Sequence, residues 1–522
     1  MLRTLFLVLL CLNGTVGLGQ YVMSPLNPQQ TVLLKAHQAK SESSKPTGFA
    51  PYLVSSPQTD SILDADTKNW SRREYKSWVM KKIKNEHLFE IHTNDFMLQG
   101  DAVFNLEGSP AADPAGRKYY TNSRGFNFNG FIGKRIFFNT SFYETQSIFP
   151  NYLDSLVSKR GAYDNTADPE RGSVPGYGRW KDNNTSSSYD YDYTLTTGTF
   201  GVMINENSFI QFGHDKQFVG YGYRSIFLAD AASPYPFLRA QFSFWGNRIT
   251  YTTTWALLQS LDKVTNAGTK GSEAPYKRLG GRFSYLSFQP AHWFSLGIFN
   301  GTTWRWRNNS HPVSAEYFSP LPLVYTGVGI KNQIAGINGQ ITLLKTVQFY
   351  GQFGVSYRNR SQAAQVGMNV FGPIKNLVIQ LEYNKIGGSF YYSTQDSNNT
   401  VIINEPFQKG TNAFDYYQHN DQILGHPMGV PLDEMLLKVS YRIRDLFANI
   451  SVHNTTQNLV SNPTHIRFVQ AEGGYIFNPK SNAQLTAGII LRNQTSANTI
   501  GMNTNYPYIA FRTNLFNRYM DF

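Results

Sequence analysis

The sequence is poor in cysteine: Cys11 is the only one in 522 residues. It lies in an N-terminal stretch that we expect to be removed, so the mature chain has no disulfide and no thiolate metal site. Charged residues make up only 16% of the chain. Beyond the N-terminus no run of about 18 apolar residues occurs, which excludes membrane-spanning helices. A β-barrel fits the mean hydropathy of −0.37, because alternating strands average to a polar value.

Catalytic motifs are also missing. The sequence has no nucleophile elbow, no phosphate-binding Walker loop and no HExxH zinc motif. His214 and Asp215 are adjacent, and neighbours on a strand point to opposite faces, which is poor geometry for a dyad. Six further histidines are scattered, mostly in or beside connections, namely His292, His311, His419, His426, His453 and His465. We therefore predict no catalytic residue and no enzymatic activity.

Metal and cofactor sites are not indicated either. The run from Tyr189 to Tyr193 contains Asp190 and Asp192 but lacks the glycine-containing loop of a dedicated calcium site. We interpret it as a solvated loop that leads into a strand, in which Asp190, like Asp154, affects only the local charge. The prediction is that the protein has no metal and no cofactor.

The first nineteen residues have the pattern of a secretory signal peptide. Arg3 supplies a positive start, 5–12 an apolar core, and Gly17-Leu18-Gly19 a small-residue cleavage site. A lipoprotein interpretation of Cys11 is disfavoured by the leucines that precede it. The net charge of +12 in an exported protein favours anionic lipopolysaccharide or an acidic glycan as partner, and not nucleic acid.

The segment 20–86 differs from the rest of the chain, because it is rich in Ser, Pro, Gln and Thr. Ser71 to Glu74 matches a capping box, which predicts an amphipathic helix over about 70–85. The face at helical spacing consists of Tyr75, Trp78, Val79, Lys82 and Ile83. Two placements stay open: the helix packs on or under a barrel, or it plugs the pore or docks a periplasmic partner. Residues before it are expected to be extended or loosely helical.

From His87 onward the apolar residues recur with a period of two. The alternation is clearest at 347–358, 377–384, 437–444 and 483–492, where one face is apolar and the other carries amides and charges. Strands of about ten residues with this pattern fit between lipid and a wet lumen. The segment 87–522 therefore predicts a transmembrane outer-membrane β-barrel, an all-β fold with a short periplasmic segment before it.

The connections predict the strand order. Tight turns are expected at 133–134, 205–207, 246–247, 290–291, 344–345, 372–373, 444–445 and 478–480. Longer connections lie between them, for example at 148–191, 218–235, 261–276, 305–327 and 387–434. This strict alternation gives about 18 antiparallel strands, from 87–107 to 507–518, with the tight turns on the periplasmic side. The chain then ends in a strand with a terminal Phe522, which resembles the assembly signal of bacterial outer-membrane barrels.

Charged and aromatic residues give candidate binding surfaces. The charges expected to face the lumen are Arg282, Arg358, Glu382, Lys438, Arg442, Arg492 and Arg512. They predict either a lumen that attracts anions or paired charges that hold it rigid. Aromatic residues of the connections suit stacking on sugar rings or an interfacial girdle equally well, and these are Tyr221, Tyr223, Tyr235, Trp304, Trp306, Tyr416 and Tyr417.

Two stretches resemble a known family. Phe212-Gly213-His214-Asp215-Lys216-Gln217-Phe218-Val219-Gly220-Tyr221-Gly222, with Arg224 to Leu228 and Ala232 to Pro236 after it, is similar to the signature of the Wzi-type capsule assembly family. The stretch 416–429, with Gly425-His426-Pro427-Met428-Gly429, is similar to a loop in the branch that includes a gliding-motility-associated barrel. The segment 20–70 shows no match to the helical bundle of the capsule proteins.

The resemblance implies an eighteen-stranded outer-membrane barrel of a Gram-negative bacterium. It would attach or assemble extracellular capsular polysaccharide, or take part in adhesin-linked gliding, with secretion or gliding machinery and surface adhesins as further partners. A porin or substrate-specific channel is the alternative. The candidate ligand-binding residues, expected on outward loops, are Tyr221, Tyr223, Arg224, Asp230, Tyr235, Arg239, Tyr417, His419 and His426. Pro234 and Pro236 predict that the loop at 218–235 holds one shape, as a lid or a binding ledge.

Overall fold

The protein is all-β, with short helices before and between the strands. Its computed structural model describes residues 21–24, 26, 28–40, 47–55, 75–114, 116–159, 173–182, 191–263, 276–305, 331–357, 359–391, 417–429, 431–458, 463–496, 499–513 and 518–522. The predicted signal peptide at 1–19 lies outside the described residues. No helix in these ranges is both long and apolar enough to cross a bilayer.

Eighteen long strands within these ranges close a barrel, each antiparallel to its neighbours. They are β1 (Phe96–Ala112), β2 (Lys118–Ile132), β3 (Ile136–Ile148), β4 (Tyr191–Asn205), β5 (Ser208–Asp215), β6 (Tyr235–Phe244), β7 (Ile249–Lys263), β8 (Tyr276–Ala291), β9 (Phe294–Arg305), β10 (Lys331–Leu343), β11 (Val347–Ser356), β12 (Gln362–Phe371), β13 (Leu377–Ile386), β14 (Leu432–Ile443), β15 (Leu446–Gln457), β16 (Thr464–Asn478), β17 (Ala483–Ser496) and β18 (Thr499–Arg512). The prediction of an eighteen-stranded antiparallel barrel is confirmed.

The two faces of the wall separate as the alternation predicts. In β11, Phe349 and Phe353 are exposed on the outside, whereas Gln348 and Gln352 are buried on the lumen side. Across the wall the outward face is dominated by large apolar side chains and the inward face by amides, hydroxyls and paired charges. The outer wall therefore forms an apolar belt suited to lipid, and the polar face surrounds the lumen.

The eight predicted tight turns all lie at one end of the barrel, hereafter the short-turn end. The turn between β10 and β11 has positive φ at both central residues, 51° at Leu344 and 57° at Lys345, as a type I′ hairpin requires. At the opposite end, however, the alternation is not strict. Residues 113–117, 357–361, 458–463 and 497–498 are also short connections, so the prediction of a long connection between every pair of turns is wrong there.

The barrel closes over a short seam. Only Ile509–Arg512 of β18 pairs with β1, opposite Asn105–Gly108. A short strand, Phe89–His92, pairs with the same edge of β1 opposite Met97–Gly100 and continues the wall toward the short-turn end. Thr513 contacts β1 between these two pairings, since its hydroxyl donates to Ala102 O at 2.9 Å and accepts from Phe104 N at 2.8 Å.

The last residues of the sequence turn inward. Of the predicted final strand over 507–518, β18 contains the part up to Arg512, Thr513 and Arg518 lie outside a strand, and 514–517 lie outside the described residues. Residues 519–522 are buried in the lumen, where Arg492 Nε donates to Phe522 O at 2.6 Å. Arg512 and Arg518 both contact Glu107, which holds the chain on the inner side of the wall. Phe522 therefore does not continue the wall.

The segment before the barrel is divided between the lumen and the rim. Helix α1 (Pro28–Lys40) stands where extended or loosely helical chain was expected, and its Lys35 donates to the carbonyls of Tyr221 and Gly222 inside the barrel. Helix α2 (Trp78–Lys84) is shorter than the predicted helix over 70–85, of which 70–74 lies outside the described residues. Asn478 donates to Lys82 O and Glu86 O, which places α2 at the rim of the short-turn end.

Candidate functional site

The connection between β5 and β6 runs through the lumen and not over the barrel. Residues 216–234, hereafter the plug, are buried except for the half-buried Tyr223. Within the plug, Phe218–Val219 pairs as a short strand with Phe49–Ala50 from the segment before the barrel. Two segments remote in sequence thus form a small sheet inside the closed wall.

Ser225 fixes the turn of the plug. Its hydroxyl donates to Val219 O at 2.5 Å and accepts from the backbone N–H groups of Phe227 and Leu228 at 3.1 and 3.2 Å. Gln352 of the wall donates to the same Val219 carbonyl at 2.8 Å. The backbone polar groups of this buried turn are satisfied locally and by the wall, as burial away from water requires.

Gly222 lets the plug approach a wall carboxylate. The backbone N–H groups of Tyr223 and Arg224 donate to the two oxygens of Glu382 on β13, at 2.8 and 3.1 Å. A Cβ atom at Gly222 would lie 2.4 Å from Glu382 Oε2, which is inside van der Waals contact. A side chain here would displace the Glu382 carboxylate or push the plug away from it, and glycine avoids this.

Arg224 lies at the centre of the lumen with 0% of its surface exposed. Its guanidinium donates to both oxygens of Glu434 on β14, at 3.0 and 3.3 Å. It also donates to Asp521 O at 3.0 Å and lies 3.1 Å from Asp521 Oδ2. The plug, the wall and the last residues of the sequence are thus joined at one side chain.

Two histidines complete this charge cluster. His426 Nε2 lies 2.8 Å from Glu434 Oε2, and His453 Nδ1 lies 3.4 Å from Glu434 Oε1. His453 Nε2 is also 3.3 Å from Asp521 Oδ2. We call Arg224, Glu434, His426, His453 and Asp521 the central cluster.

The electrostatics of the cluster depend on mutual compensation. Burial disfavours the charged forms, but Asp521 and Glu434 outweigh it and raise the pKa of Arg224 well above its ordinary value. Burial likewise raises the pKa of Asp521, and Arg224 and His453 reverse this, so that it ends below its ordinary value. Burial lowers the pKa of His426. The carboxylates therefore stay ionised inside the barrel because of the guanidinium.

A second connection interlocks with the plug. Residues 417–429 contain a small hairpin, Gln418–His419 with Gln422–Ile423. His419 Nδ1 accepts from Gln259 N at 3.1 Å and its Nε2 faces Pro234 O at 3.1 Å, which assigns the ring proton to Nε2. Burial lowers the pKa of His419 to about 3, so that this histidine is neutral. It tethers the end of the plug to β7.

All nine candidate ligand-binding residues lie inside the barrel. Tyr221 donates to Ser295, Asp230 accepts from Tyr519 at 2.5 Å, and Tyr235 packs on Phe283 and His419. Arg239 lies over the Phe49 ring and donates to Pro51 O, and Tyr417 packs on Phe283 and Tyr391. The expectation that these residues lie on outward loops is wrong, because their partners come from the wall and from both ends of the sequence. Their role in ligand binding stays a prediction. Trp304 is also buried, whereas Trp306 and Tyr416 lie outside the described residues.

The structure places most of the predicted lumen charges as expected. Glu382, Lys438, Arg442, Arg492 and Arg512 are on the lumen side of their strands, where Arg512 pairs with Glu107 and Glu472 at 2.8 and 3.2 Å. Such pairing supports a rigid lumen at that position.

Arg282 is a correction. Its neighbour Phe283 packs on Tyr235 and Tyr417 in the lumen. Successive residues of a strand face opposite sides, so Arg282 lies on the outer face, opposite Trp255 in the register. Arg358 lies outside the described residues.

Sequence reasoning missed three members of the central cluster. Glu434 and His453 are on wall strands, and Asp521 follows the last strand. The period of two in β14 places Glu434 on the same face as Lys438, so that signal was present in the sequence. Within the described ranges no group of three or more His, Cys, Asp or Glu side chains is arranged to hold a metal.

Comparisons with known proteins give a fold and no family. No family model matches the chain, and no curated protein matches it in sequence. Among solved structures it is similar to Wzi of Escherichia coli, described as an outer-membrane protein involved in group 1 capsule assembly and a carbohydrate-binding β-barrel. The TM-score is 0.54 at 14% identity, covering 94% of this chain and 99% of that one. At this identity the likeness shows the fold alone.

Other solved structures have lower TM-scores. OccAB2 of Acinetobacter baumannii has a TM-score of 0.42 at 12% identity, covering 81% of this chain and 98% of that chain. OpdQ of Pseudomonas aeruginosa has a TM-score of 0.43 at 9% identity, covering 80% and 98%.

Proposed function

We propose that the protein is a non-enzymatic outer-membrane barrel that attaches or assembles extracellular polysaccharide at the cell surface and does not conduct solutes. It would reach the outer membrane of a Gram-negative bacterium after removal of its signal peptide. The observation that carries the proposal is the filled lumen, in which Arg224 is fully buried and bonded to Glu434 and Asp521.

The filled lumen argues against the channel alternative. A porin keeps a water-filled passage through its barrel. Here the plug, the segment 417–429, α1 and the last residues of the sequence occupy the interior, and many of their side chains belong to one buried cluster that includes residues of the wall. Moving the plug out of the lumen would break the contacts of Arg224 with Glu434 and Asp521 and expose the buried apolar cluster to water, which is costly.

Several features support a role with polysaccharide. The fold is that of Wzi, whose description includes carbohydrate binding. The net charge of +12 suits an acidic glycan or lipopolysaccharide. The resemblance at 416–429 extends the proposal to adhesin-linked gliding, with secretion or gliding machinery as partners. No cofactor is needed for any of these roles.

Two measurements on the full chain test the proposal. Purified protein in a planar bilayer should give no steady conductance, and it should adsorb polysaccharide from the producing cells. Cells without the protein should release that polysaccharide into the medium. Open, ohmic conductance of nanosiemens scale in the unmodified protein would refute the proposal in favour of the channel alternative. Unchanged retention of polysaccharide by cells without the protein would also refute it.

A further inference from the structure

Below the plug the lumen contains a cavity of about 330 Å³. It extends from the short-turn end, where Asn376 and Asn482 line it, up to Tyr223 of the plug and the neighbouring Tyr519. Its size lies at the lower end of the range for small-molecule pockets, about 300 to 1,000 Å³. The cavity faces the end of the barrel opposite the long connections, so it is separate from the surface that the sequence predicts to be outward.

The neutral lining suits a sugar. Gln380 and Gln470 line the cavity, and each donates its amide N–H at 2.9 Å to a wall tyrosine hydroxyl, Tyr350 and Tyr508. These bonds fix the orientation of both amides, whose carbonyl oxygens are acceptors for hydroxyl groups. Leu34, Val378 and Phe447 add apolar surface, and a few well-placed polar groups in a partly apolar lining are typical of ligand sites.

Several charged groups around the cavity already have partners. Arg512 and Arg518 contact Glu107, and Arg512 also contacts Glu472. Asp230 accepts from the Tyr519 hydroxyl. These groups hold the cavity wall in place, and Lys40 and Arg442 add positive charge to the lining.

Lys35 and Lys438 differ from these groups in their contacts. Lys35 of α1 donates to the carbonyls of Tyr221 and Gly222, at 3.0 and 2.9 Å. Lys438 of β14 lies 3.5 Å from the centroid of the Tyr223 ring. In the described part of the chain, neither ammonium has a carboxylate within salt-bridge distance of 4.0 Å. An anion between them would replace weak carbonyl and ring contacts with charge-assisted hydrogen bonds.

We propose that this cavity binds a sugar that carries a carboxylate, with Lys35 and Lys438 holding the carboxylate and the fixed glutamines holding ring hydroxyls. The choice of a sugar among anions rests on the proposed function; the choice of an anion rests on the two lysines. The site would take an acidic sugar unit from the short-turn end.

Protonation of Lys35 gives the site a pH dependence. Burial lowers the pKa of Lys35 to about 8, Glu382 and Asp230 oppose this, and Lys438 adds to it. Lys438 in turn is close to Asp521, Glu472 and Glu382, and to the cation of Arg224. Lys35 is therefore charged below about pH 8 and loses its charge above it, so affinity for a carboxylate should fall as the pH rises through that value.

The test is calorimetric titration of the full chain in detergent with sodium glucuronate, glucose and inorganic phosphate. Glucuronate should bind, and glucose should bind about tenfold more weakly or not at all. Lys35→Met and Lys438→Met should each weaken glucuronate binding about tenfold, and Lys438→Arg should retain most of it. Lys385→Met is the matched control, since Lys385 is exposed on the neighbouring wall strand and should have no effect.

Absence of glucuronate binding by the unmodified protein, or equal binding by the lysine variants, overturns the site. Phosphate binding tighter than glucuronate binding overturns the assignment of a sugar. Retention of polysaccharide by cells separates the two proposals. Cells that retain it while the purified protein does not bind glucuronate would keep the proposed function and remove this site. Lysine-dependent binding of glucuronate in a protein whose loss releases no polysaccharide would remove the function and keep an acidic-sugar site.

Discussion

The wall and the interior of this barrel are stabilised by different means. In the wall, adjacent strands pair along continuous ladders, such as the thirteen-residue register of β2 against β3. Those bonds use backbone atoms, and the side chains need only alternate between apolar and polar. In the interior, short segments are held by particular side chains, above all Arg224, Ser225 and Glu382. The wall therefore tolerates changes of sequence that the interior does not, and each prediction below separates the two regions.

The largest effect is expected from Arg224→Met. The substitution leaves Glu434 and Asp521 buried without their cation, which should cost about 3–5 kcal/mol of the stability of the plug. The barrel wall should persist, because no wall ladder includes Arg224. We expect steady conductance in planar bilayers and faster amide hydrogen exchange in 216–234.

Arg248→Met is the control for this variant, because Arg248 is an exposed residue in the turn between β6 and β7. It should remain non-conducting. A closed, exchange-protected plug in Arg224→Met would show that the central cluster does not hold the plug.

The second prediction changes a residue of the wall and leaves the interior intact. Ile337, in the middle of β10, is 50% exposed on the outer face. Ile337→Lys places a charge in the apolar belt and should cost about 2–4 kcal/mol if the position is near the bilayer midplane. The folded barrel should lose heat resistance on gel electrophoresis, while the conductance of the fraction that folds stays zero. Ile337→Leu serves as the control. If this variant loses as much stability as Ile337→Lys, the loss comes from altered packing and not from the charge.

How far the sequence predicts each region follows from the same difference. The wall could be predicted because a period of two is a local signal that survives in every strand. The interior could not, because Arg224 finds its partners 210 and 297 residues further along the chain. The sequence predicts a site in the stretch around Arg224, and the length of the stretch predicts an outward loop, which is wrong. Only the positions of Glu434 and Asp521 decide that it folds inward.

The end of the sequence shows where prediction from local alternation fails. In the sequence, the alternation loses its phase near Asn517 and Arg518. A terminal Phe522 nevertheless favoured a wall strand. The structure explains the irregularity, since Arg518 contacts Glu107 and Thr121 and the following residues enter the lumen. A break in a local pattern marks where long-range contacts take over.

The third prediction concerns the seam, where wall and interior meet. Thr513→Val keeps the shape of the side chain but removes its hydrogen bonds to Phe104 N and Ala102 O. The cost should be about 1–3 kcal/mol, because the Phe104 amide loses its acceptor. Amide exchange should increase at 102–108 and stay unchanged in β10. Thr456→Val, at an exposed hydrogen bond to His465, should change stability by less than about 0.5 kcal/mol. Equal effects in both variants would contradict a special role for the seam.

The smallest effect is expected at a wall turn. Leu344 is 90% exposed and has a φ of 51°, a conformation that costs about 1–2 kcal/mol in a residue with a Cβ. Leu344→Gly removes this strain but adds about 0.5–1 kcal/mol of chain entropy, so a net gain of about 0.5–1 kcal/mol is expected in thermal unfolding. Leu344→Ala keeps the Cβ and should gain nothing. A loss of stability in the glycine variant would mean that the leucine side chain stabilises the barrel, and that even the turns of the wall depend on particular side chains, as the interior does.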